Sequence, residues 1–468
     1  MSKRRLILLL DGTWNEDEVG GNVTNIVRLR DLIADSLDPL EVAPSLPNTE
    51  SPISLNHVGP RTFAGREYVI FYERGVGTGA IDRIRGGGFG SGLDLNIRRA
   101  YRFLSFHYSP EDEIFIFGFS RGSYTARSLT GYLGAIGLLR CDTCTEARER
   151  LAWSFYRTPP NDRLPGVWKE LEPYVHPRGI VRVQCVGLFD TVGALGVPLQ
   201  GFRRLNRQQF EFHDVELSSL VDIALHALAI DEHRRPFEPS LWRRNKFKRT
   251  SANVEQVWFP GVHADIGGGY LSDDQRFRAS PRPLDDLALD WMIKRIHKHV
   301  VDFPVTQPAW LPLTENASLG LQHDSRTWKY KIWRNAIRSI GNNPPLQPLF
   351  RRRDIPVGYD PRTKSVNESI HIRAIQYIGT RIKIDDDMSL YSPANLVSCL
   401  PNLETLYLPG RSPEMAPDTL TVTAMNGETI QPGSGLASSF FDELVKVRER
   451  LQQEAPGLLK QMGWIPPE

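Results

Sequence analysis

The stretch Ile114-Phe115-Ile116-Phe117-Gly118-Phe119-Ser120-Arg121-Gly122-Ser123-Tyr124 limits what this chain can fold into more than any other. A β-branched and aromatic run ends in Gly-x-Ser-x-Gly and passes at once into a helical pattern, which reads as strand, tight turn, helix. So sharp a turn leaves no room for side chains beside the serine, hence Gly118 and Gly122. The new helix offers free N–H groups next to Ser120, where a developing oxyanion would be met, with the Arg121 N–H first in line. The plainer alternative is a glycine-flanked β–α turn without chemistry.

Further strand-length apolar runs fit the same architecture: Leu6–Leu10, Tyr68–Tyr72, Val181–Phe189 and Val254–Phe259. Between them lie helical patterns, from Thr24 through Ile26, Leu29, Ile33 and Leu37, over Leu93–Leu104, over Tyr124–Ile136 and over Leu284–Val300. Buried strands alternating with helices predict an α/β fold, α/β-hydrolase-like, with a mostly parallel sheet and helices on both faces. Apolar residues make up 40% and charged residues 24% of the 468, which excludes disorder as the main state. The 57 basic and 55 acidic residues leave a net charge of +2, so nothing global calls for nucleic acid.

A serine nucleophile needs a base, and the base needs an orienting acid. Val186-Gly187-Leu188-Phe189 runs into Asp190-Thr191-Val192-Gly193, placing Asp190 at a strand's carboxyl end. Val257-Trp258-Phe259 runs into Pro260-Gly261-Val262-His263-Ala264-Asp265, presenting His263 in a Gly-rich loop. Catalytic groups in open α/β sheets gather at such strand ends. Ser120, Asp190 and His263 also follow the chain order nucleophile, acid, histidine. Among the 11 histidines the competitor is His226, in His226-Ala227-Leu228-Ala229-Ile230-Asp231-Glu232, a segment that reads as a helix and favours a structural or substrate-contact role. Asp265 is an alternative orienter, more naturally a brace for the glycine loop. The first strand ends in Asp11-Gly12-Thr13-Trp14-Asn15, whose Gly12 and Thr13 N–H groups are candidates for the second oxyanion donor; alternatively Asp11 merely fixes a β-turn.

Other features argue by what they lack. The loop from Gly75 to Gly92 holds eight glycines in 18 residues but no Gly-Lys-Ser/Thr, so it suits a flexible cover for the site better than a nucleotide cradle. Cys141 and Cys144 have metal-ligand spacing without a second pair, and no metal or other cofactor is expected. After Lys3-Arg4-Arg5 the apolar run stops at Asp11, too soon for a signal peptide, and no stretch reaches membrane-spanning length. The expectation is a cytoplasmic protein, with signal-independent secretion left open.

After residue 305 prolines cluster and the alternation fades. Residues 1–305 read as the catalytic core, 306–410 as a cap or insertion, and 411–468 as a C-terminal segment. That last segment carries an amphipathic helix, Leu436–Gln453, with Phe440, Phe441, Leu444, Val445 and Leu451. Trp328–Arg338 reads as a short basic helix bearing tryptophans, suited either to transient contact with an anionic membrane or to packing as a cap helix. Trp242–Arg249 reads as a second basic patch, on a solvated loop.

Six segments in order then resemble an uncharacterised α/β-hydrolase domain family that includes phospholipase effectors of bacterial type VI secretion. They are Asp11–Asn15, Gly75–Gly79, Gly118–Gly122, Phe189–Gly193, His226–Glu232 and Trp258–His263. The likeness covers roughly residues 5–300 and implies Ser120 as nucleophile, Asp190 as acid and His263 as base. It implies esterase or phospholipase A chemistry. Where the family often shows His-x-Ser-Val, this chain has Asn367-Glu368-Ser369-Ile370. The expectation is therefore a serine ester hydrolase acting on lipids through an acyl-Ser120 intermediate. The alternatives are a thioesterase or small-ester esterase, and a non-catalytic interaction module; no protein partner is indicated.

Overall fold

The structure, a computed structural model, describes residues 4–12, 23–39, 57–75, 88–177, 179–192, 217–243, 252–271, 282–308, 334–342, 354–358, 364–385 and 387–464, with isolated positions between 311 and 349. The chain divides into two compact units. One holds residues 1–225, 246–253 and 296–307; the other holds 226–245, 254–295 and 308–468.

The first unit follows the apolar runs closely. Its elements are β1 (Arg5–Leu10), α1 (Asn25–Ser36), β2 (Asp38–Pro39), β3 (His57–Phe63), β4 (Arg66–Glu73), α2 (Gly88–His107), β5 (Glu113–Phe119), α3 (Arg121–Ile136), α4 (Glu146–Arg157), α5 (Pro165–Leu171) and β6 (Val183–Phe189). The strand order is β6-β5-β1-β4-β3-β2. The strands from β6 to β4 are parallel, and β3 and β2 add an antiparallel edge. All six residues of β1 are buried, as a central parallel strand requires. Even Arg5 is inside, held by Glu113 at 2.8 Å and Asp302 at 3.1 Å. Thr24 caps α1 by accepting the Val27 N–H, and Ile26, Leu29 and Ile33 bury the face that the 3.6 period anticipates. Register fixes the functional rim: Leu10 pairs with Gly118, and Phe119 pairs with Phe189. The carboxyl ends of β1, β5 and β6 therefore lie level, and Asp11, Ser120 and Asp190 follow them directly.

The chain leaves the first unit within β7 (Val221–Ala229). The second unit contains β8 (Asn253–Phe259) from Val254 on, α6 (His263–Gly267), α7 (Asp285–His299) up to Arg295, β9 (Asn335–Arg338), β10 (Asp354–Val357), β11 (Glu368–His371), β12 (Arg381–Ile384), β13 (Asp387–Leu390) and β14 (Thr421–Thr423). Strands β8, β11 and β14 run parallel in that order, with the end of β7 beside β8. Two small pairs, β9 with β10 and β12 with β13, accompany them. Their core gathers Leu228, Trp258, Ile370, Val422 and the inner face of the helix Gly435–Glu454.

Several sequence expectations change here. His226 lies on a strand, not a helix, because the run from Val221 to Ala229 is β7, buried at every position but Asp222. The helix expected over Trp328–Arg338 is absent where it is described: Asn335–Arg338 is strand β9, and residues 328–333 lie outside the described residues. Arg338 is 1% exposed and donates to the carbonyls of Ala229 and Phe237, so it offers no charge to a membrane. Trp242 is core as well, 2% exposed, with residues 244–249 outside the described set. Residues beyond 305 pair in parallel through β11 and β14. The C-terminal helix buries Ala437, Phe440, Leu444, Val447 and Leu451; Phe441 and Val445 sit only part-buried at its flank.

Candidate active site

Ser120 occupies the last position before α3 with φ 57° and ψ −119°, a left-handed backbone that a residue with a Cβ adopts only under strain. The surroundings hold it there. Its N–H donates to the Phe189 carbonyl at 3.1 Å, and the Ser123 hydroxyl donates to the same oxygen at 3.1 Å. A Cβ on Gly118 would stand 2.7 Å from the Gly122 carbonyl oxygen, and a Cβ on Gly122 would collide with the Leu10 carbonyl. The steric reason for the motif is thus met on both sides of the serine. Ser120 itself is 6% exposed.

Asp190 follows Phe189 on the adjacent strand, fully buried and with φ 37°. The structure brings Ser120 and Asp190 together as neighbours at the ends of β5 and β6, two non-glycine residues held at positive φ. Arg121, the first residue of α3, is half-withdrawn from water, and burial pulls its guanidinium down to about 10. Its backbone N–H starts the helix, the position an oxyanion donor requires.

Asp11 acts as the hub of the turn after β1. Its carboxylate accepts the Gly12 N–H at 2.6 Å, the Thr24 hydroxyl at 2.9 Å and the Tyr72 hydroxyl at 2.9 Å. The Gly12 N–H, a candidate oxyanion donor by sequence, is therefore engaged by Asp11, and the turn-fixing alternative describes it. Gly12 serves close packing instead, since a Cβ there would stand 2.8 Å from the Phe119 ring. Thr13 lies outside the described residues, as does the Gly-rich loop from residue 76 to 87.

In the second unit, His263 opens α6 just past β8, and 5% of it is exposed. Three carboxylates build its turn. Asp231 accepts the Gly261 N–H at 2.7 Å and the Tyr391 hydroxyl at 3.1 Å, while its own N–H donates to the Gly261 carbonyl at 3.0 Å. Asp265 accepts the Val262 N–H at 3.0 Å and pairs with His323 Nδ1 at 2.6 Å, so it braces the loop as the sequence suggests. Glu232 accepts the His263 N–H at 3.3 Å. Gly261 has φ 113°, and a Cβ there would reach 2.5 Å from the Asp265 Cβ, so only glycine fits.

These acids differ electrostatically. Burial pushes the Asp231 carboxyl up to about 7, despite the Gly261 N–H and Tyr391. Burial would raise Glu232 too, but the Arg234 guanidinium bonded to it, with Arg338 and His263 beyond, holds it down at about 2. Burial raises Asp265, with His323 opposing, and His323 is itself raised by Asp265 against the cost of burial. Sequence reasoning missed Asp231 and Glu232 as builders of this turn; two adjacent acids at the end of an apolar run were the available signal.

His226 is fully buried in β7, its ring edge-on to Trp242 at 5.3 Å. Cys144 is buried and Cys141 exposed, both free, and burial lifts the Cys144 thiol to about 11. Among the described residues no group of three His, Cys, Asp or Glu side chains is placed to hold a metal ion.

A serine at positive φ between two glycines that admit no Cβ closes a parallel strand in a strand–turn–helix elbow. Residues 4–295 match the family model described as the type VI secretion phospholipase effector Tle1-like catalytic domain, and the chain belongs to that family. An uncharacterized Saccharomyces cerevisiae protein, YEL023C, is 27% identical over 244 residues; the match spans 51% of this chain and 32% of that protein. An uncharacterized Pseudomonas aeruginosa crystal structure aligns over 67% of this chain and 48% of its own, at 18% identity and a TM-score of 0.37. The Tle1 effector bound to the VgrG spike of a type 6 secretion system aligns over 67% and 77%, at 16% identity and a TM-score of 0.34.

Proposed function

We propose that this protein is a serine ester hydrolase acting on phospholipids or related acyl lipids. The observation that carries the reading is Ser120 at φ 57° between two glycines that admit no side chain, at the carboxyl end of β5. Membership of a phospholipase effector catalytic family supports the lipid substrate.

In this reading the Ser120 hydroxyl attacks the ester carbonyl while His263 takes its proton. The Arg121 N–H meets the oxyanion, and collapse of the tetrahedral adduct expels the alcohol, protonated by His263. Water then repeats the sequence on the acyl-serine, releasing the fatty acid and restoring the hydroxyl. Asp190, buried beside Ser120, orients the imidazole. A hydrolysis of this kind draws on no cofactor. The order Ser120, Asp190, His263 and the strand-end placement of each support the assignment. Among the described residues no helix is long and apolar enough to cross a membrane.

Phospholipid vesicles, soluble acyl esters and acyl thioesters, each offered to the wild type and to Ser120→Ala, test the reading. Release of fatty acid from vesicles, lost in the variant by a factor of about 10⁴ or more, is the expected result. Turnover confined to thioesters would replace the lipid substrate, and turnover undiminished in Ser120→Ala would end the serine mechanism.

A further inference from the structure

We propose that Glu232 is a positioning residue of this reaction: its carboxylate fixes the turn that carries His263 and supports the positive charge the imidazole acquires. The inference rests on His263 being the base, as argued above.

Glu232 is 1% exposed, yet it is the most heavily bonded acid near α6. Oε1 accepts the Arg234 backbone N–H at 2.8 Å, Arg234 Nε at 2.9 Å and the Ser325 hydroxyl at 3.0 Å. Oε2 accepts the second Arg234 guanidinium bond at 2.8 Å and the His263 N–H at 3.3 Å. One carboxylate thus ties the backbone of His263 to the segment that leaves β7.

The same carboxylate is also linked to the imidazole indirectly, through Arg234 and Phe237. The Arg234 fork that clasps Glu232 lies 3.6 Å from the centroid of the Phe237 ring. Phe237 in turn meets the His263 ring edge-on at 4.9 Å. Glu232 therefore sets the histidine through its main chain and, by way of Arg234 and Phe237, through its ring. A packing role alone would need only an acceptor at each oxygen, since every partner donates. A buried anion does more: it favours imidazolium over imidazole, which is what a base needs as it takes the serine proton.

The charged and titratable groups facing this cluster are Arg234 on the same segment, Arg338 on β9, Tyr270 beyond α6, and the Asp265–His323 pair. Asp231 stands next in the chain, bonded to Gly261. Arg234 and Arg338 keep Glu232 ionised over the whole working range, so its charge does not switch off in mild acid.

The experiment is a set of pH–rate profiles for ester turnover by the wild type, Glu232→Gln, Arg234→Gln and His263→Ala, with melting temperatures alongside. Glu232→Gln removes the anion, so the acid limb moves to lower pH by about one unit and kcat falls roughly tenfold with KM unchanged. Arg234→Gln removes the opposing cation, so its limb moves to higher pH. Should Glu232→Gln fail to fold, the Arg234→Gln limb decides alone. Limbs unmoved in folded variants, with His263→Ala inactive, overturn the role of Glu232 and leave the base assignment standing. Full activity in His263→Ala overturns both.

Discussion

The turn bearing Ser120 and the turn bearing His263 are built from opposite materials. The first is held by backbone: two glycines without room for a Cβ, a carbonyl from β6 shared by Ser120 and Ser123, and a serine forced to positive φ. The second is held by buried charge: Asp231, Glu232 and Asp265 each take a backbone N–H between Gly261 and His263. The Ser120 turn answers to shape and should be indifferent to pH. The His263 turn answers to protonation.

The largest effect expected from this contrast is steric. Gly122→Ala drives a methyl into the Leu10 carbonyl and should destabilise the first unit by about 3 kcal/mol or more, read by denaturant melts. The loss should be the same at pH 5 and pH 8, and a loss that varied with pH would break the contrast.

A smaller effect should come from Asp231→Asn. The folded pKa of Asp231 lies above its unfolded value, so its contribution to stability is full below about pH 4 and fades as pH rises towards 7. Asparagine still accepts the Gly261 N–H without that penalty. The variant should therefore melt higher than the wild type at pH 8, by an amount on the order of 2 kcal/mol, and the gain should vanish near pH 4. A gain independent of pH would contradict the charge-built turn.

Least should be Ser120→Gly, which removes a Cβ from a left-handed position. Stability should rise by about 1 kcal/mol at every pH while ester turnover disappears. A destabilised Ser120→Gly would mean that the elbow is not strained.

The same contrast explains what the sequence made legible. Backbone-built features leave a mark in residue type: glycines at positions 118 and 122 around Ser120 follow an unmistakable apolar strand. The strands β1, β4, β5, β6 and β8 were readable for the same reason, as short Ile-, Val- and Phe-rich runs with turns behind them. Strand β7 was not, because Ala224-Leu225-His226-Ala227-Leu228-Ala229 has strong helix formers and no alternation when both faces are buried. Strand β9 is hidden because Asn335–Arg338 continues the basic pattern before it, although Arg338 spends its guanidinium on two buried carbonyls. Asp265 as a brace was legible from its place two residues after His263. Glu232 leaves a weaker mark, one of two adjacent acids closing an apolar run, with nothing to point to the distant N–H it accepts.

Ser120 is the proposed nucleophile. Fluorophosphonate treatment of the full chain, followed by peptide mass mapping, should find one adduct, on the peptide bearing Ser120, and none in Ser120→Ala. An adduct on another residue, or labelling undiminished in the variant, would contradict it.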